Sequence, residues 1–481
     1  MKAQRSGKRA LIVLISIFVL GYMLMGAIAP FLKSKDVSEE FKNKFDINNF
    51  FSDKQSVDKA KLIETNEDAL NERIRLLEQA KEKIIFSTYD LREGESTRDT
   101  LAVILTKADE GVKVRIIVDG MNSIIRMEGR AVFYALSAHP NVEIKLYNSL
   151  KILQPWKTQG RMHDKYIIVD DIGYILGGRN SHDAFIGAYE AKADNIDREV
   201  LIYNSAHGTD RSNESSLKEL ETYSEGVWDS KDNELFHRSI SPSKEAEVEE
   251  QRELLRKRYV YLKEEWPQLF GKCNYDKDTI ETNKVTIISN PTHIYGKEPW
   301  VFYSLIQLMA KAGNEVRIYS PYAVMNDYML TELTKVSNNV EDFKLVINSV
   351  ENGDNIVASS DYIRNKKRLI DTGVDIYEYD GGISNHGKSV LIDEDISVVG
   401  SFNFDMRSTY MNTELMLIIH SGELNQELKR NMDYMEKDCR RVIDEDTYET
   451  PEHIKVKEVN IFKKLLWWII GLVMQLFRFL V

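Results

Sequence analysis

The string His-x-Lys-x4-Asp-x6-Gly-x-x-Asn occurs twice in this chain, more than two hundred residues apart, with every gap identical. The first copy is His163, Lys165, Asp170, Gly177 and Asn180; the second is His386, Lys388, Asp393, Gly400 and Asn403. Equal strings with equal gaps call for equal backbones to carry them, so the repeat constrains the fold more tightly than any composition figure. The flanking residues repeat too. Ile85-Phe86-Ser87-Thr88-Tyr89 is answered by Ile318-Tyr319-Ser320-Pro321-Tyr322, Val112 to Val118 by Phe343 to Asn348, and Val142-Glu143-Ile144-Lys145 by Val374-Asp375-Ile376-Tyr377. Helical patterns stand between these runs: Leu70, Ile74 and Leu77; Leu101, Ile104, Leu105 and Ala108; Leu305, Leu308, Met309 and Ala312, closed by Gly313. Strands alternating with helices predict an α/β chain of two similar halves. Each is expected to be a mostly parallel sheet flanked by helices, with a site between the halves.

The expected organisation is an anchor over 1–35, a linker over 36–62, a first half over 63–206, a charged helical connector over 207–284, a second half over 285–440 and a tail over 441–481. The 76 acidic and 64 basic residues leave a net charge of −12, which argues against a broad nucleic-acid surface but not against a small cationic pocket for one phosphate. Cys273 and Cys439 have no metal-ligand spacing and read as two thiols, with a single disulfide the alternative.

Both ends are apolar. Ala10 to Leu32 is an uncharged run preceded by Lys2, Arg5, Lys8 and Arg9, long enough to span a hydrocarbon core. Ala27-Ile28-Ala29 imitates a cleavage site, but the run exceeds a usual signal core and Pro30 would follow the cut, so an uncleaved single anchor is expected. Lys33 and Lys35 follow the run before acidic residues begin at Asp36. The charge bias places the N-terminus in the cytoplasm and the body on the extracytoplasmic side of the cell membrane. At the other end, Ile461 to Val481 carries Trp467 and Trp468 beside Lys463 and Lys464, which predicts a helix lying at the membrane interface. An apolar stretch, Leu150 to Lys157, precedes only the first motif. It reads either as a packed loop or as one that dips toward lipid or gates the site.

Each motif starts on a strand, where residues two apart share a face, so each histidine and its lysine address one pocket. The turns Gly177-Gly178-Arg179-Asn180 and Gly400-Ser401-Phe402-Asn403 bring in an amide and, in the second copy, the Ser401 hydroxyl. Two imidazoles, two ammonium groups and two amides suit phosphodiester exchange. One neutral histidine attacks phosphorus to give a covalent phosphohistidine, and one protonated histidine gives its proton to the leaving alcohol. The lysines, Asn180, Asn403 and Ser401 would then offset charge on the phosphoryl oxygens. Holding two histidines in opposite states requires carboxylates. Glu414 is expected to serve the second half and Asp197 the first, with Glu199 next in line. Asp170 and Asp393 end strands before turns and read as structural supports. No carboxylate cluster resembles a metal site, and no cofactor is expected. His182, close after the first turn, is a further candidate for substrate contact, whereas His207, His237 and His420 lack partnered spacing.

The doubled motif resembles the phospholipase D superfamily over roughly Ile63 to Lys437. Within it, Gly400-Ser401-Phe402-Asn403-Phe404-Asp405-Met406-Arg407-Ser408 with Asn412 and Glu414, and Gly177-Gly178-Arg179-Asn180 with Asp183, look like bacterial cardiolipin synthases. That resemblance implies transfer of a phosphatidyl group to a lipid alcohol, with His163 as nucleophile and His386 as general acid. A phospholipase D-like hydrolase or a membrane-anchored nuclease would use the same residues. Two features depart from the pattern: one N-terminal span where a pair is common, and Gly178 where the second copy has Ser401.

Overall fold

The computed structural model describes the whole chain except residues 1, 34–35, 192–193, 238–240, 354 and 457–458; the side chains of 2–10, 33 and 242 also lie outside the description. The basic residues on which the orientation rests, Lys2, Arg5, Lys8, Arg9, Lys33 and Lys35, therefore lie outside the described side chains.

The β-branched runs form two nine-stranded sheets. The first is built from β1 (Asp58–Ile63), β2 (Lys83–Thr88), β3 (Lys113–Asp119), β4 (Val142–Tyr147), β5 (Tyr166–Val169), β6 (Gly173–Gly177), β8 (Glu199–Asn204), β9 (Glu234–Leu235) and β10 (Ile280–Glu281); the short β7 (Asn195–Ile196) stands apart. The second contains β11 (Lys284–Ser289), β12 (Glu315–Tyr319), β14 (Asp342–Asn348), β15 (Asp375–Tyr379), β17 (Ser389–Ile392), β18 (Ile396–Gly400), β20 (Leu415–His420), β21 (Cys439–Val442) and β22 (Tyr448–Glu449). Their orders are β10-β1-β8-β6-β5-β2-β3-β4-β9 and β11-β20-β18-β17-β12-β14-β15-β21-β22. Stripped of edge strands, the two orders are the same, as a duplicated unit requires. The outer pairs β13 (Ala323–Val324) with β19 (Phe404–Asp405), and β7 with β16 (Ser384–Asn385), complete the strands.

The two-half α/β architecture is present, but the sheets are mixed rather than mostly parallel. Within the two nine-stranded sheets only β2-β3-β4 and β12-β14-β15 run parallel; the remaining pairings there are antiparallel. The physical reason is loop length. β5 and β6, like β17 and β18, are joined by three-residue turns, and a turn that short can return the chain only antiparallel. The first sheet also begins earlier than the sequence suggests, at Asp58, and the connector contributes β9 and β10 to its edges.

Helices cover one face of each sheet. Asn66–Glu78, Glu95–Asp109 and Ala131–Ser137 bury Leu70, Ile74, Leu101, Ile104 and Phe133 against the first sheet, with Glu245–Glu265 packed outside them. Trp300–Met309, Asp327–Ser337 and Ile356–Ile370 do the same in the second half. The other faces meet each other. Tyr166, Ile168, Leu176, Val200 and Ile202 pack with Tyr319, Leu391, Val399, Leu417 and Ile419 in one core between the halves. Strand alternation explains how β5 sends Ile167 and Val169 outward to the helices and Tyr166 and Ile168 inward to the other half. The helix Leu217–Trp228 from the connector adds Leu217 and Leu220 to this central core, so that segment is part of the packed body. Both cysteines are free thiols.

The N-terminal helix Lys2–Ile28 and the 3-10 turn Ala29–Lys33 that follows it carry the only stretch among the described residues long and apolar enough to cross a membrane, Leu11–Leu32. The C-terminal helix Ile461–Met474 packs on Ile356–Ile370 through buried Trp467 and Gly471, leaving Leu465, Trp468, Ile469, Leu472 and Val473 exposed.

The motif aspartates are supports, as their position suggests. Asp170 and Asp393 adopt φ of 47° and 48°, a left-handed conformation that Asp tolerates in turns. Asp170 accepts N–H donors from Lys81, Glu82 and Lys83 at 2.7, 3.0 and 2.7 Å; Asp393 accepts them from Gly313, Asn314 and Glu315 at 2.8, 2.8 and 3.0 Å. Each carboxylate thus closes the entry to the central strand of its half. Asp170→Ala and Asp393→Ala should each lower stability by about 2–4 kcal/mol, from the loss of charge-assisted bonds that leave backbone donors unpaired. Calorimetry should show the lower Tm, while the folded fraction keeps its turnover rate.

Candidate active site

His163 and His386 precede β5 and β17, strands that lie against β2 and β12 in the middle of each sheet. Each lysine amino group folds back onto the carbonyl of its own histidine: Lys165 donates to His163 O at 2.6 Å, and Lys388 donates to His386 O and sits 2.7 Å from His386 Nδ1. All four residues are buried or nearly so, at the seam between the halves.

The carboxylates do not serve their own halves. Glu414 faces His163 Nδ1 at 3.0 and 3.1 Å, and Asp197 faces His386 Nδ1 at 2.6 Å. The expected pairing, Glu414 with the second histidine and Asp197 with the first, is crossed. Backbone pairing explains the exchange. Met162 and Thr413 form a parallel bridge, and the His163 N–H meets the Thr413 carbonyl and hydroxyl at 3.3 and 3.2 Å. On the other side β7 runs parallel to β16, and the His386 N–H donates to Ile196 O at 2.6 Å. The residue before each histidine therefore lies beside the residue before the opposite carboxylate. Arg198 adds a further tie, donating to Glu64 at 2.5 and 3.0 Å and across the seam to Ser389 Oγ at 2.5 Å. Glu199 is occupied elsewhere, in an ion pair with Arg73 at 2.6 Å.

Ser401 also departs from expectation. Its hydroxyl is fully buried, donates to Glu414 Oε2 at 2.5 Å and accepts from the Leu415 N–H at 3.0 Å. It positions the carboxylate rather than lining the phosphate pocket. At the equivalent Gly178, a Cβ would stand 2.3 Å from Asp197 Oδ1. The shorter Asp197 fills the space that Ser401 occupies in the other half, and that accounts for the Gly/Ser difference between the motifs. Asn180 and Asn403 follow the two glycine turns, and their buried carbonyl oxygens have no hydrogen-bond partner among the described residues. Amides buried in this state fit a polar ligand, since an unpaired buried polar atom costs about 1–3 kcal/mol.

Electrostatics separates the two pairs. Burial, then the charges of Lys165 and Lys388, hold His163 well below the usual imidazole range. Burial pushes its partner Glu414 up to about 7, against the pull of Lys165 and the Ser401 hydroxyl. Asp197 is also buried, which raises its pKa, but the Lys388 charge and the His386 hydrogen bond outweigh this and carry it down to about 2. Burial brings Lys165 down to about 7, with the Glu414 charge opposing.

Several residues here gave no signal in the sequence. Tyr89 packs edge-on against His163 at 5.1 Å. Asp164, inside the motif but unremarked, accepts from Tyr223 and Thr413 hydroxyls at 2.7 and 2.9 Å, and burial raises it to about 7. Phe185 stacks edge-on against His386 at 5.0 Å. Aromatic spacing inside one half could have suggested Tyr89, which ends the repeated run Ile85-Phe86-Ser87-Thr88-Tyr89; Thr413 and Tyr223 reach the site only through the fold. His182, buried and lowered to about 4 by burial and the Arg92 charge, stacks on the same Phe185 and lies behind His386. Among the described residues no three His, Cys, Asp or Glu side chains are grouped as metal ligands.

The crossed geometry makes an asymmetric prediction. Ser401→Ala removes one hydrogen bond to Glu414, of about 1–2 kcal/mol, and should slow cleavage of a chromogenic phosphodiester about 5- to 30-fold. Gly178→Ser forces Asp197 aside and should cost more than about a hundredfold, since a misplaced catalytic group loses that much. Equal effects would contradict the distinct packing of the two carboxylates.

Comparisons with known proteins identify the family. The family model described as "Cardiolipin synthase, PLD-like domain" matches residues 74–217 and 305–436, one stretch in each half. "Cardiolipin synthase C" of Escherichia coli (strain K12) is 26% identical over 412 residues, covering 76% of this chain and 82% of that protein. A "Cardiolipin synthase" of Staphylococcus aureus (strain Mu50 / ATCC 700699) is 23% identical over 374 residues, covering 77% of this chain and 65% of its own length. The crystal structure of phosphatidylserine synthase from Haemophilus influenzae Rd KW20 shares the fold, with a TM-score of 0.63 at 12% identity over 92% of this chain and all of that one. With two repeated motifs, two matching sheets and a family match across more than half its length, the chain belongs to the cardiolipin synthase, phospholipase D-like domain family.

Proposed function

We propose that this enzyme is a membrane-bound phosphatidyltransferase that moves a phosphatidyl group between lipid alcohols through a phosphohistidine on His163. One observation carries the reading: the two histidines share a seam but have carboxylate partners of opposite character. His163 Nδ1 is engaged by Glu414, so its free Nε2 faces the substrate, and the surroundings hold the ring neutral. That is the state a nucleophile needs. His386 Nδ1 meets an Asp197 that stays ionised, and in this reading His386 is the group that gives its proton to the departing oxygen.

In the first step His163 Nε2 bonds to phosphorus while the bond to the departing alcohol breaks, and that oxygen takes the His386 proton. In the second, His386 accepts the proton of the incoming hydroxyl, whose oxygen bonds to phosphorus as the P–N bond breaks. Lys165, Lys388, Asn180 and Asn403 surround the phosphoryl oxygens in both steps. Phosphatidylglycerol as acceptor, with cardiolipin as product, fits the family and the named relatives. The apolar span Leu11–Leu32 and the exposed face of the C-terminal helix support work at a membrane, with the body on the extracytoplasmic side as the charge bias suggests.

The decisive experiment incubates the protein in mixed micelles of phosphatidylglycerol and a second phospholipid, followed by mass spectrometry of products. Cardiolipin, formed with chelator present and lost in His163→Ala and His386→Ala, is the expected result; phosphatidic acid alone would turn the reading to hydrolysis. With a p-nitrophenyl phosphodiester, whose leaving group needs no proton, His386→Ala should accumulate a phosphoryl adduct by intact-protein mass, and His163→Ala should form none.

The pH dependence follows from Lys165. Its pKa is lowered to about 7, so the ammonium form needed for the phosphate is lost as pH rises through that value in the free enzyme. kcat/KM should therefore fall on the alkaline side from about pH 7. The limb in kcat should sit higher, because a bound phosphodiester stabilises the charged lysine. Coincident limbs in the two profiles would argue against this assignment.

A further inference from the structure

Six exposed apolar side chains of the body gather at one edge. Ile124 and Ile125 lie on the short helix Gly120–Arg126 that follows β3, and Leu150, Ile152, Leu153 and Trp156 lie on the loop that follows β4. Leu153 is 89% exposed and Ile152 68%. The two segments touch, since a Cβ on Gly120 would stand 2.7 Å from the Ser149 backbone. Both leave the sheet where the parallel strands β2, β3 and β4 end. β5 runs antiparallel to β2 with Tyr166 opposite Ser87, which puts Lys165 and His163 at that same edge.

The N-terminal helix lands on this loop. The Tyr22 hydroxyl donates to the Ile152 carbonyl at 2.5 Å, Pro155 fills the space beside Gly26, and the Gln159 amide donates to Gly26 O at 3.3 Å. Just beyond, Phe31 packs on Phe479 with ring centroids 4.8 Å apart. From the other side Arg407 donates to the side-chain and backbone oxygens of Gln159, both at 2.9 Å, four residues before His163. Contacts thus run from the end of the apolar span, through the loop, to the segment that leads into His163.

We propose that the loop Leu150–Trp156, together with Ile124 and Ile125, is a second membrane-seated element beside the N-terminal span. It enters the leaflet in which the end of that span sits and holds the His163 rim of the cleft against it, so that a phospholipid reaches the site without leaving the bilayer. The inference rests on the phospholipid reading of the site. Its occupant is a bilayer because the patch is continuous with Leu11–Leu32, a stretch of mean hydropathy 2.6. The loop's lysines support this. Lys151 and Lys157 are both drawn onto Asp232 at 3.3 Å, which leaves the tip Ile152-Leu153 uncharged, with Trp156 at the boundary position that Trp favours.

The test uses full-length protein in phosphatidylglycerol–phosphatidylcholine vesicles. Leu153→Cys, in a Cys273→Ser and Cys439→Ser background, is labelled with a nitrobenzoxadiazole probe, and Glu253→Cys on the outer helix serves as the water-exposed control. The Leu153 probe should shift to the blue and be quenched by lipids nitroxide-labelled in the acyl chain, and the Glu253 probe should not. The double variant Ile152→Asp, Leu153→Asp should turn over vesicle phospholipid about tenfold more slowly or worse, yet cleave a water-soluble short-chain phosphodiester within about twofold of wild type. A Leu153 probe that stays in water overturns the proposal. So does one buried only as protein concentration rises, which would mean a second copy covers the patch, or an equal loss on both substrates. If wild-type protein forms no transfer product, the phosphatidyltransferase reading fails by itself, while the probe still decides where the loop sits.

Discussion

Two hydrogen bonds that cross between the halves, His163 to Glu414 and His386 to Asp197, organise everything else around the site. Each histidine is placed by the backbone of its own half and oriented by a carboxylate from the other. Neither half holds a complete pair alone. The central core of Tyr166, Ile168 and Val200 against Leu391, Val399 and Leu417 is therefore a condition of the chemistry, because it sets the distance across which these bonds form. Removing that core would return both carboxylates to water, where the environment could no longer separate their protonation.

Duplication supplies a symmetric frame, yet the two histidine–carboxylate pairs set in it are unlike. The two halves differ at the site by small substitutions on equal backbones. Gly178 leaves room for the short Asp197, which two positive neighbours keep ionised. Ser401 supports the longer Glu414, which burial carries toward its neutral form. The same strand ends, turns and lysines thus give the two imidazoles carboxylate partners of opposite character. The cost of burying so many ionisable groups is met by pairing them across the seam and with backbone donors.

The site also has a direction. His163, the apolar loop after β4 and the short helix after β3 share one edge of the first sheet, and the N-terminal helix ends on that loop. The chain's last segment returns to the same place, with Phe479 on Phe31 and Arg407 donating to Leu480 O at 3.4 Å. Apolar stretches from the two ends of the chain thus converge beside the strand that follows His163.

The duplicated fold, the paired histidines and lysines, and the supporting role of Asp170 and Asp393 were legible in the sequence, because each is a local pattern written twice. Strand periodicity shows which residues share a face, and a glycine or aspartate after a strand marks a turn; both signals act over a few residues. Even the candidate carboxylates could be named, since Glu414 and Asp197 stand just before apolar strands. Their partners could not be read. Which half a carboxylate serves depends on the Met162–Thr413 bridge and the β7–β16 pairing, contacts between segments about two hundred residues apart that leave no period or spacing in the chain. The task of Ser401 was hidden because it depends on β18 lying beside β20, whereas the antiparallel share of the sheets follows from the three-residue turns after β5 and β17. Sequence determined the parts and their number, through short-range periodicity. Tertiary structure alone decided which carboxylate meets which histidine, because that follows from how two finished sheets pack face to face.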